Sequence, residues 1–289
     1  MMSELFEGVS NVGFASQAEP PHALPMDPGV STGRERLAAT LRVKLEPSIV
    51  DYNRRALLLL SIRDAGDRAP LAQEIFDEIA IAIVEGRLRP GDVLNSVDLA
   101  RRFGTSRTPV REALAELERQ GTVVIPPRRR PYIAQLTLKQ IKDVYDLRAS
   151  LNTLVSELIV ARSPKEGIQE LWRWYEALEK DVAEDKVDEY FWHNVGFRLV
   201  EARVAGNEEL QRILASFGLR TLQFRHLSLS LPGRLQRSLE DHRRLLVAYD
   251  ESDTQTAVAT TRSLIMLGYR AIEQSGLVPI EQAVAEEEL

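Results

Sequence analysis

Four polar residues cluster at the start of a predicted helix, in the stretch FGTSRTPVREALAELERQG at 103–121. Arg107 and Arg111 carry guanidinium groups, which can grip guanine O6 and N7 with two hydrogen bonds, and the hydroxyls of Ser106 and Thr108 can bind phosphates or bases. The first turn of a helix also attracts phosphate through its unpaired N–H groups. The residue types and their spacing therefore predict contacts with nucleic acid at this helix tip.

The helix behind this polar tip has one apolar face. Four apolar residues recur at the helical spacing i, i+3, i+4 and i+7, namely Val110, Ala113, Leu114 and Leu117. That face explains how the helix is held, but it does not explain the basic first turn. A solvated basic helix end is the alternative to a contact with nucleic acid.

A hairpin predicted after the helix favours nucleic acid. The stretch GTVVIPPRRRPYIAQL at 121–136 reads as two short β-prone runs around a basic tip. The tip holds Arg128, Arg129 and Arg130. Arginines there could contact phosphates or enter a minor groove. Two separate basic elements predict a DNA-binding face, to which we add Arg102 from the preceding helix.

The upstream elements complete a winged helix-turn-helix. One helix is predicted from Leu71, and it ends in the stretch EGRLRPGD at 85–92, at Gly86 and the pair Pro90-Gly91. A short helix that carries Leu99 follows and ends at Gly104. The order helix, helix, glycine turn, helix and hairpin is that of a winged helix-turn-helix. We assign this domain to residues 69–136.

The charge of the chain is segregated. The formal net charge is −6, yet the window 101–130 holds eight basic and three acidic residues, so it carries +5 and the remainder −11. An overall average can hide such a local patch, which favours a nucleic-acid face.

Composition narrows the remaining classes of function. The chain has no cysteine, which excludes thiol catalysis, cysteine-ligated zinc and disulfides. No apolar run is long enough to span a membrane, and the N-terminus lacks a secretory signal pattern. We expect a cytoplasmic protein with no membrane partner.

The C-terminal half is predicted to be helical throughout. Six long periodic stretches with short connections imply an antiparallel six-helix bundle: 138–162, 165–184, 187–205, 207–229, 232–251 and 253–275. The expected fold is mainly α with a small β wing. We place the bundle at 137–275, a flexible or partly helical extension at 1–68, and an acidic tail at 276–289.

The N-terminal domain resembles the DNA-binding domain of GntR-family bacterial transcription regulators. The resemblance is carried by EGRLRPGD, by LARRFGTSRTPVREAL and by the wing, and the bundle resembles the FCD domain of the FadR subfamily. It implies that Ser106, Arg107, Thr108, Arg111 and the wing contact DNA. Two departures stand out: Arg130 occupies a wing position that usually holds glycine, and Ser96 occupies one where many relatives carry glutamate.

One arginine falls on the inward stripe of the first bundle helix. Arg148 lies three residues after Tyr145 and three before Leu151, and a charge buried there is costly without a partner. The partner is either an internal carboxylate or an anionic effector. The resemblance favours the effector, because FCD domains commonly have arginine here near the effector cavity. Asn152, one turn later, is a further candidate.

Many FCD domains bind a divalent metal, and the resemblance allows its ligand positions to be compared. Counted back from Asn207, the aspartate and the first histidine of the family correspond here to Asn194 and Arg198, and two later histidines of the family correspond to His242 and Leu264. Three of the four ligands are therefore missing, and arginine has no acceptor atom. We expect no metal and no other cofactor, with Arg198 supplying the positive charge instead. An atypical metal site built from His193, His226 and His242 is the alternative.

These observations predict a ligand-responsive transcription regulator. It would bind a pseudo-palindromic double-stranded operator as a homodimer and respond to a small anion, such as a carboxylate, held by Arg148, Asn152, Asn194, Arg198 and His242. Repression is the commoner behaviour of the family. The alternatives are an all-α enzyme with a fused helix-turn-helix, for which no catalytic motif is present, and a constitutive DNA binder whose bundle is purely structural.

Overall fold

The computed structural model describes Arg54, Leu57, Leu58, residues 69–162 and residues 164–280. The extension expected at 1–68 lies outside the described residues, apart from those three, and so do the tail residues 281–289. No helix in the described ranges is both long and apolar enough to cross a membrane.

Residues 69–136 form an N-terminal unit of three helices and one two-stranded sheet. Its elements are α1 (Pro70–Val84), α2 (Ser96–Arg102), α3 (Arg107–Arg119), β1 (Val123–Val124) and β2 (Tyr132–Ile133). The predicted apolar face of α3 is fully packed, since Val110, Ala113 and Leu117 have no exposed surface. Gly104 makes the turn between α2 and α3 at a φ of 60°, a left-handed conformation that glycine adopts without a steric cost.

The strands form the predicted wing. β1 and β2 pair antiparallel with Val123 opposite Ile133 and Val124 opposite Tyr132. At the tip, Arg129 N donates to Pro126 O at 3.3 Å, which closes a turn around Arg128. Arg128 has a φ of 59°, so a non-glycine residue occupies the left-handed region there.

The C-terminal unit contains seven helices where six were predicted. They are α4 (Leu138–Arg162), α5 (Lys165–Ala183), α6 (Val187–Val204), α7 (Glu208–Ala215), α8 (Gly218–Leu229), α9 (Arg234–Asp250) and α10 (Thr254–Ser275). The stretch 207–229 was wrongly read as one helix. It breaks at Gly218, whose φ of 60° is incompatible with a continuous right-handed helix.

Close helix packing fixes the centre of this bundle. Gly196 on α6 faces Trp174 on α5, and a Cβ atom at Gly196 would lie only 2.1 Å from the indole ring. Trp174, Phe191 and Trp192 are at most 1% exposed, so these aromatics belong to the core. This packing fixes the position of α6 against α5.

Candidate functional site

The first turn of α3 presents the predicted polar tip to solvent. Ser106 is the N-cap residue, and Arg107, Thr108 and Arg111 are exposed beside it. Among the described residues, neither the Arg107 nor the Arg111 side chain makes a hydrogen bond or an ion pair. In contrast, Arg119 at the other end of α3 pairs with Glu116 at 2.6 Å. The guanidinium groups at the tip are therefore available to an external anion.

The wing arginines are exposed as well. Arg128, Arg129 and Arg130 all have solvent-accessible side chains, and Arg102 is exposed at the end of α2. Glu118 on α3 accepts a hydrogen bond from Ile125 N at 2.8 Å, which ties the wing to the helix. The structure thus brings every residue of the predicted DNA face onto one small, well-packed unit.

A cavity opens in the helical bundle, with about 380 Å³ of empty space including its mouth. Its wall is formed by residues from α4, α6, α8, α9 and α10. Four of them are arginines: Arg148, Arg198, Arg225 and Arg234. Leu229, Leu264 and Ile265 provide an apolar side. A small, strongly basic pocket with one apolar wall suits a small organic anion.

The cavity contains some of the predicted effector residues and omits others. Arg148, Asn194 and Arg198 line it, whereas Asn152 and His242 do not. Asn152 Nδ2 instead donates to Arg148 O on its own helix at 2.8 Å.

Two cavity arginines were missed by sequence reasoning. Arg225 lies in the stretch that was read as one long helix, and Arg234 begins α9 directly after Gly233. Gly218 was the sequence signal that could have identified Arg225, because a helix break there changes which residues of the following helix face the bundle interior.

His242 lies behind the cavity and supports it. The imidazole is fully buried, and its Nδ1 lies 2.6 Å from Ser238 O. Asn194 Nδ2 is 3.0 Å from Nε2, so the neutral tautomer with its proton on Nδ1 satisfies both contacts. Burial, followed by the charge of Arg198, holds the pKa of His242 well below its ordinary value. His242 therefore acts as a neutral acceptor that orients Asn194.

One of the arginines has an internal carboxylate partner. Arg198 Nη1 donates to Glu201 Oε2 at 2.6 Å, and the other carboxylate oxygen accepts from Tyr249 OH at 2.9 Å. Arg225 donates to the neutral amide oxygen of Asn194. Burial, followed by the charges of Arg148 and Arg198, lowers the pKa of Arg225 well below its ordinary value. The positive charge of the cavity thus exceeds its internal compensation.

Several polar atoms around the cavity lack partners. Among the described residues, seven buried side-chain polar atoms make no hydrogen bond, and four belong to cavity residues: Tyr145 OH, Arg148 Nη1, Ser228 Oγ and Arg234 Nε. Buried polar groups are rarely left unpaired, because each costs about 1–3 kcal/mol. Their concentration around one cavity indicates a site that a ligand completes.

The histidines of the alternative metal site lie in three separate contacts. His193 Nδ1 is 2.5 Å from Asp181 Oδ2, and His226 Nε2 is 2.7 Å from Asp188 Oδ1. Within the described ranges, no group of three histidine, cysteine or acidic residues could hold a metal ion. The expectation of a metal-free site stays a prediction.

A polar contact joins the bundle to the N-terminal unit. Glu85, directly after α1, accepts a hydrogen bond from Trp192 Nε1 on α6 at 3.0 Å and another from Arg54 at 2.7 Å. Trp192 contacts Phe191 with ring centroids 5.0 Å apart, and Arg225 lies 6.0 Å above the Phe191 ring. A chain of contacts therefore runs from the cavity to the end of α1.

Known proteins similar in sequence are bacterial transcription regulators. The gluconate operon transcriptional repressor of Bacillus subtilis is 30% identical over 177 residues, which cover 58% of this chain and 68% of that protein. The nta operon transcriptional regulator of Aminobacter aminovorans is 32% identical over 144 residues, covering 47% and 65%. These relatives are regulators rather than enzymes, which removes the enzyme alternative.

Solved structures share the fold. McbR/YncC of E. coli has a TM-score of 0.59 at 22% identity, covering 72% of this chain and 99% of that one. A GntR regulator from Rhodococcus sp. RHA1 has the same TM-score and coverage at 16% identity. Residues 71–133 match the family described as bacterial regulatory proteins, gntR family, and residues 143–266 match the FCD domain. The chain belongs to the GntR family of DNA-binding transcription regulators and carries an FCD domain.

Proposed function

We propose that this chain is a cytoplasmic repressor that binds a pseudo-palindromic operator as a homodimer and is modulated by a small anionic metabolite. The observation that carries the proposal is the pairing of two sites in one chain. The exposed arginines of α3 and the wing suit the operator, and the basic cavity of the bundle suits the effector. The contact of Trp192 with Glu85 joins the helix that lines the cavity to the DNA-binding unit.

Apolar surface on α4 supports a second copy as partner. Leu147 and Leu154 are 57% and 38% exposed, and their spacing of seven residues places them on one face of the helix. A symmetric dimer would cover this face and present two recognition helices to two half-sites. Analytical ultracentrifugation of wild type and Leu154→Glu tests the dimer; a variant that sediments like wild type would exclude this face as the interface.

Operator release is the test of effector control. An operator is first selected from random DNA with the purified protein, and small organic acids are then screened for release by fluorescence anisotropy. We expect Arg148→Ala and Arg198→Ala to bind operator normally but to ignore the active acid. A variant that still responds would remove that arginine from the effector site. If no small molecule changes operator affinity, the constitutive DNA binder is the correct reading.

A further inference from the structure

The cavity holds more positive charge than one carboxylate can neutralise. Four guanidinium groups line it, and Glu201, paired with Arg198 at 2.6 Å, is the one carboxylate bonded to any of them in the described ranges. Burial lowers the pKa of Arg234, and the charge of the buried Asp241 opposes that shift, but the Asp241 carboxylate lies against Arg237 at 3.5 Å. With His242 neutral, about three positive charges remain without a bonded counter-charge.

The surroundings of these charges make that excess costly. Arg148 is 8% exposed, and the ring of Tyr145 lies 4.9 Å from the guanidinium carbon. Burial lowers the pKa of Arg148, Tyr145 raises it by less, and the charge of Arg198 lowers it further. Arg225 has a neutral amide as its bonded partner. An isolated buried charge is strongly disfavoured unless a counter-ion occupies the site.

The unpaired polar atoms specify what the counter-ion offers. Arg148 Nη1 and Arg234 Nε can only donate hydrogen bonds, and the hydroxyls of Tyr145 and Ser228 can donate as well. Oxygens that only accept, as in ionised carboxylate or phosphate groups, match this set. Gly268 lies between Tyr145 and Ser228, and a Cβ there would approach both to within 3.4 Å, so its absence leaves the hydroxyls room for a ligand.

We propose that the ligand of this cavity carries at least two negative charges on acceptor oxygens, as dicarboxylates, tricarboxylates and phosphate esters do. This inference rests on the proposed effector function of the cavity and adds the charge of the effector. A monoanion would leave about two uncompensated guanidinium groups in the bundle. A dianion leaves about one, and its second anionic group engages the donors that the first cannot reach.

The test compares dianions with controls of lower charge on the full-length protein: butyrate and chloride carry one negative charge, and glycerol carries none. Thermal unfolding is followed at mildly alkaline pH and matched ionic strength with succinate against butyrate, glycerol 3-phosphate against glycerol, and sulfate against chloride. The first two pairs show whether the anionic oxygens of the ligand belong to carboxylate or to phosphate groups. We expect sulfate to raise the melting temperature above that in chloride, and at least one of succinate and glycerol 3-phosphate to raise it above that with its control. That ligand should bind about tenfold or more tightly than its control.

Variants separate binding in the cavity from general salt effects. Arg234→Gln should lose the excess stabilisation by sulfate, whereas Arg244→Gln, an exposed arginine on the same helix, should keep it. The inference is overturned if sulfate stabilises wild type and Arg234→Gln equally, or if butyrate matches succinate and glycerol matches its phosphate. A monoanion that binds and releases operator would overturn this inference alone. Dianions that bind without changing operator affinity would overturn the proposed function alone.

Discussion

Replacing Arg148 by methionine should make the ligand-free protein more stable. Most buried residues stabilise a fold, so their replacement destabilises it. Arg148 differs because Nη1 has no hydrogen-bond partner among the described residues and because the neighbouring Arg198 carries the same charge. Methionine keeps the unbranched stem that packs beside Tyr145 and removes the charge.

The magnitude follows from three contributions. Removing an unsatisfied buried donor is worth about 1–3 kcal/mol. The cation–π contact of Arg148 with Tyr145, at 4.9 Å, is lost at a cost of about 1–2 kcal/mol. A sulfur–aromatic contact replaces about 0.3–1.5 kcal/mol of it. The free energy of unfolding should therefore rise by about 1 kcal/mol, which corresponds to roughly 2–4 °C in melting temperature.

The assay is thermal unfolding in a chloride buffer of low ionic strength without organic anions. Arg162→Met is the matched control on the same helix, because Arg162 donates to Gly206 O at 3.1 Å and its loss should leave stability unchanged or lower it. If Arg148→Met instead lowers the melting temperature by several degrees, Arg148 is compensated within the fold, and the reasoning for an anion in this cavity is refuted.

Three further outcomes are expected. Trp192→Phe keeps a buried ring but loses the hydrogen bond to Glu85. Operator affinity in anisotropy titrations should stay near that of wild type, while the effector changes this affinity less. An unchanged effector response would exclude coupling through the Trp192–Glu85 contact. Arg128→Gly relieves a φ of 59° and should add about 1 kcal/mol of stability by denaturant titration. The salt dependence of DNA binding should weaken by about one phosphate contact, and an unchanged salt dependence would contradict a wing contact by Arg128. The pKa of His242 is depressed from 6.5 in the fold, so below pH 6.5 the unfolded chain binds a proton on His242 that the folded chain does not bind. Wild type should therefore lose stability below pH 6.5, and His242→Gln should lose less. Equal losses would show that His242 is not the group responsible.

Local patterns made the DNA-binding unit predictable from sequence. Helical spacing marked Val110, Ala113 and Leu117, and all three are buried. That stripe fixes which side of α3 faces inward, and the position of Arg107 and Arg111 at the start of the helix leaves both side chains exposed. The wing followed from two β-prone runs separated by a tip of prolines and arginines.

The cavity was predictable only in part, because it depends on contacts between distant helices. The inward stripe of α4 placed Arg148 correctly, but spacing along one helix gives no sign that Arg225 and Arg234 meet it. Asn152 shares a helix face with Arg148, yet its amide bonds the backbone of its own helix. The direction of a side chain within a helix face depends on whether it bonds its own backbone or a neighbouring helix, and the period of the sequence does not encode that choice.

Specific DNA binding by the tip of α3 is the central claim, and one measurement tests it most directly. Wild type and the double variant Arg107→Ala with Arg111→Ala are titrated by anisotropy against the selected operator and a random duplex of equal length. The structure predicts that wild type prefers its operator by about 1,000-fold or more and that the double variant loses most of that preference, at about 1–3 kcal/mol per arginine, while its melting temperature is unchanged. A double variant with the same preference as wild type would contradict the account.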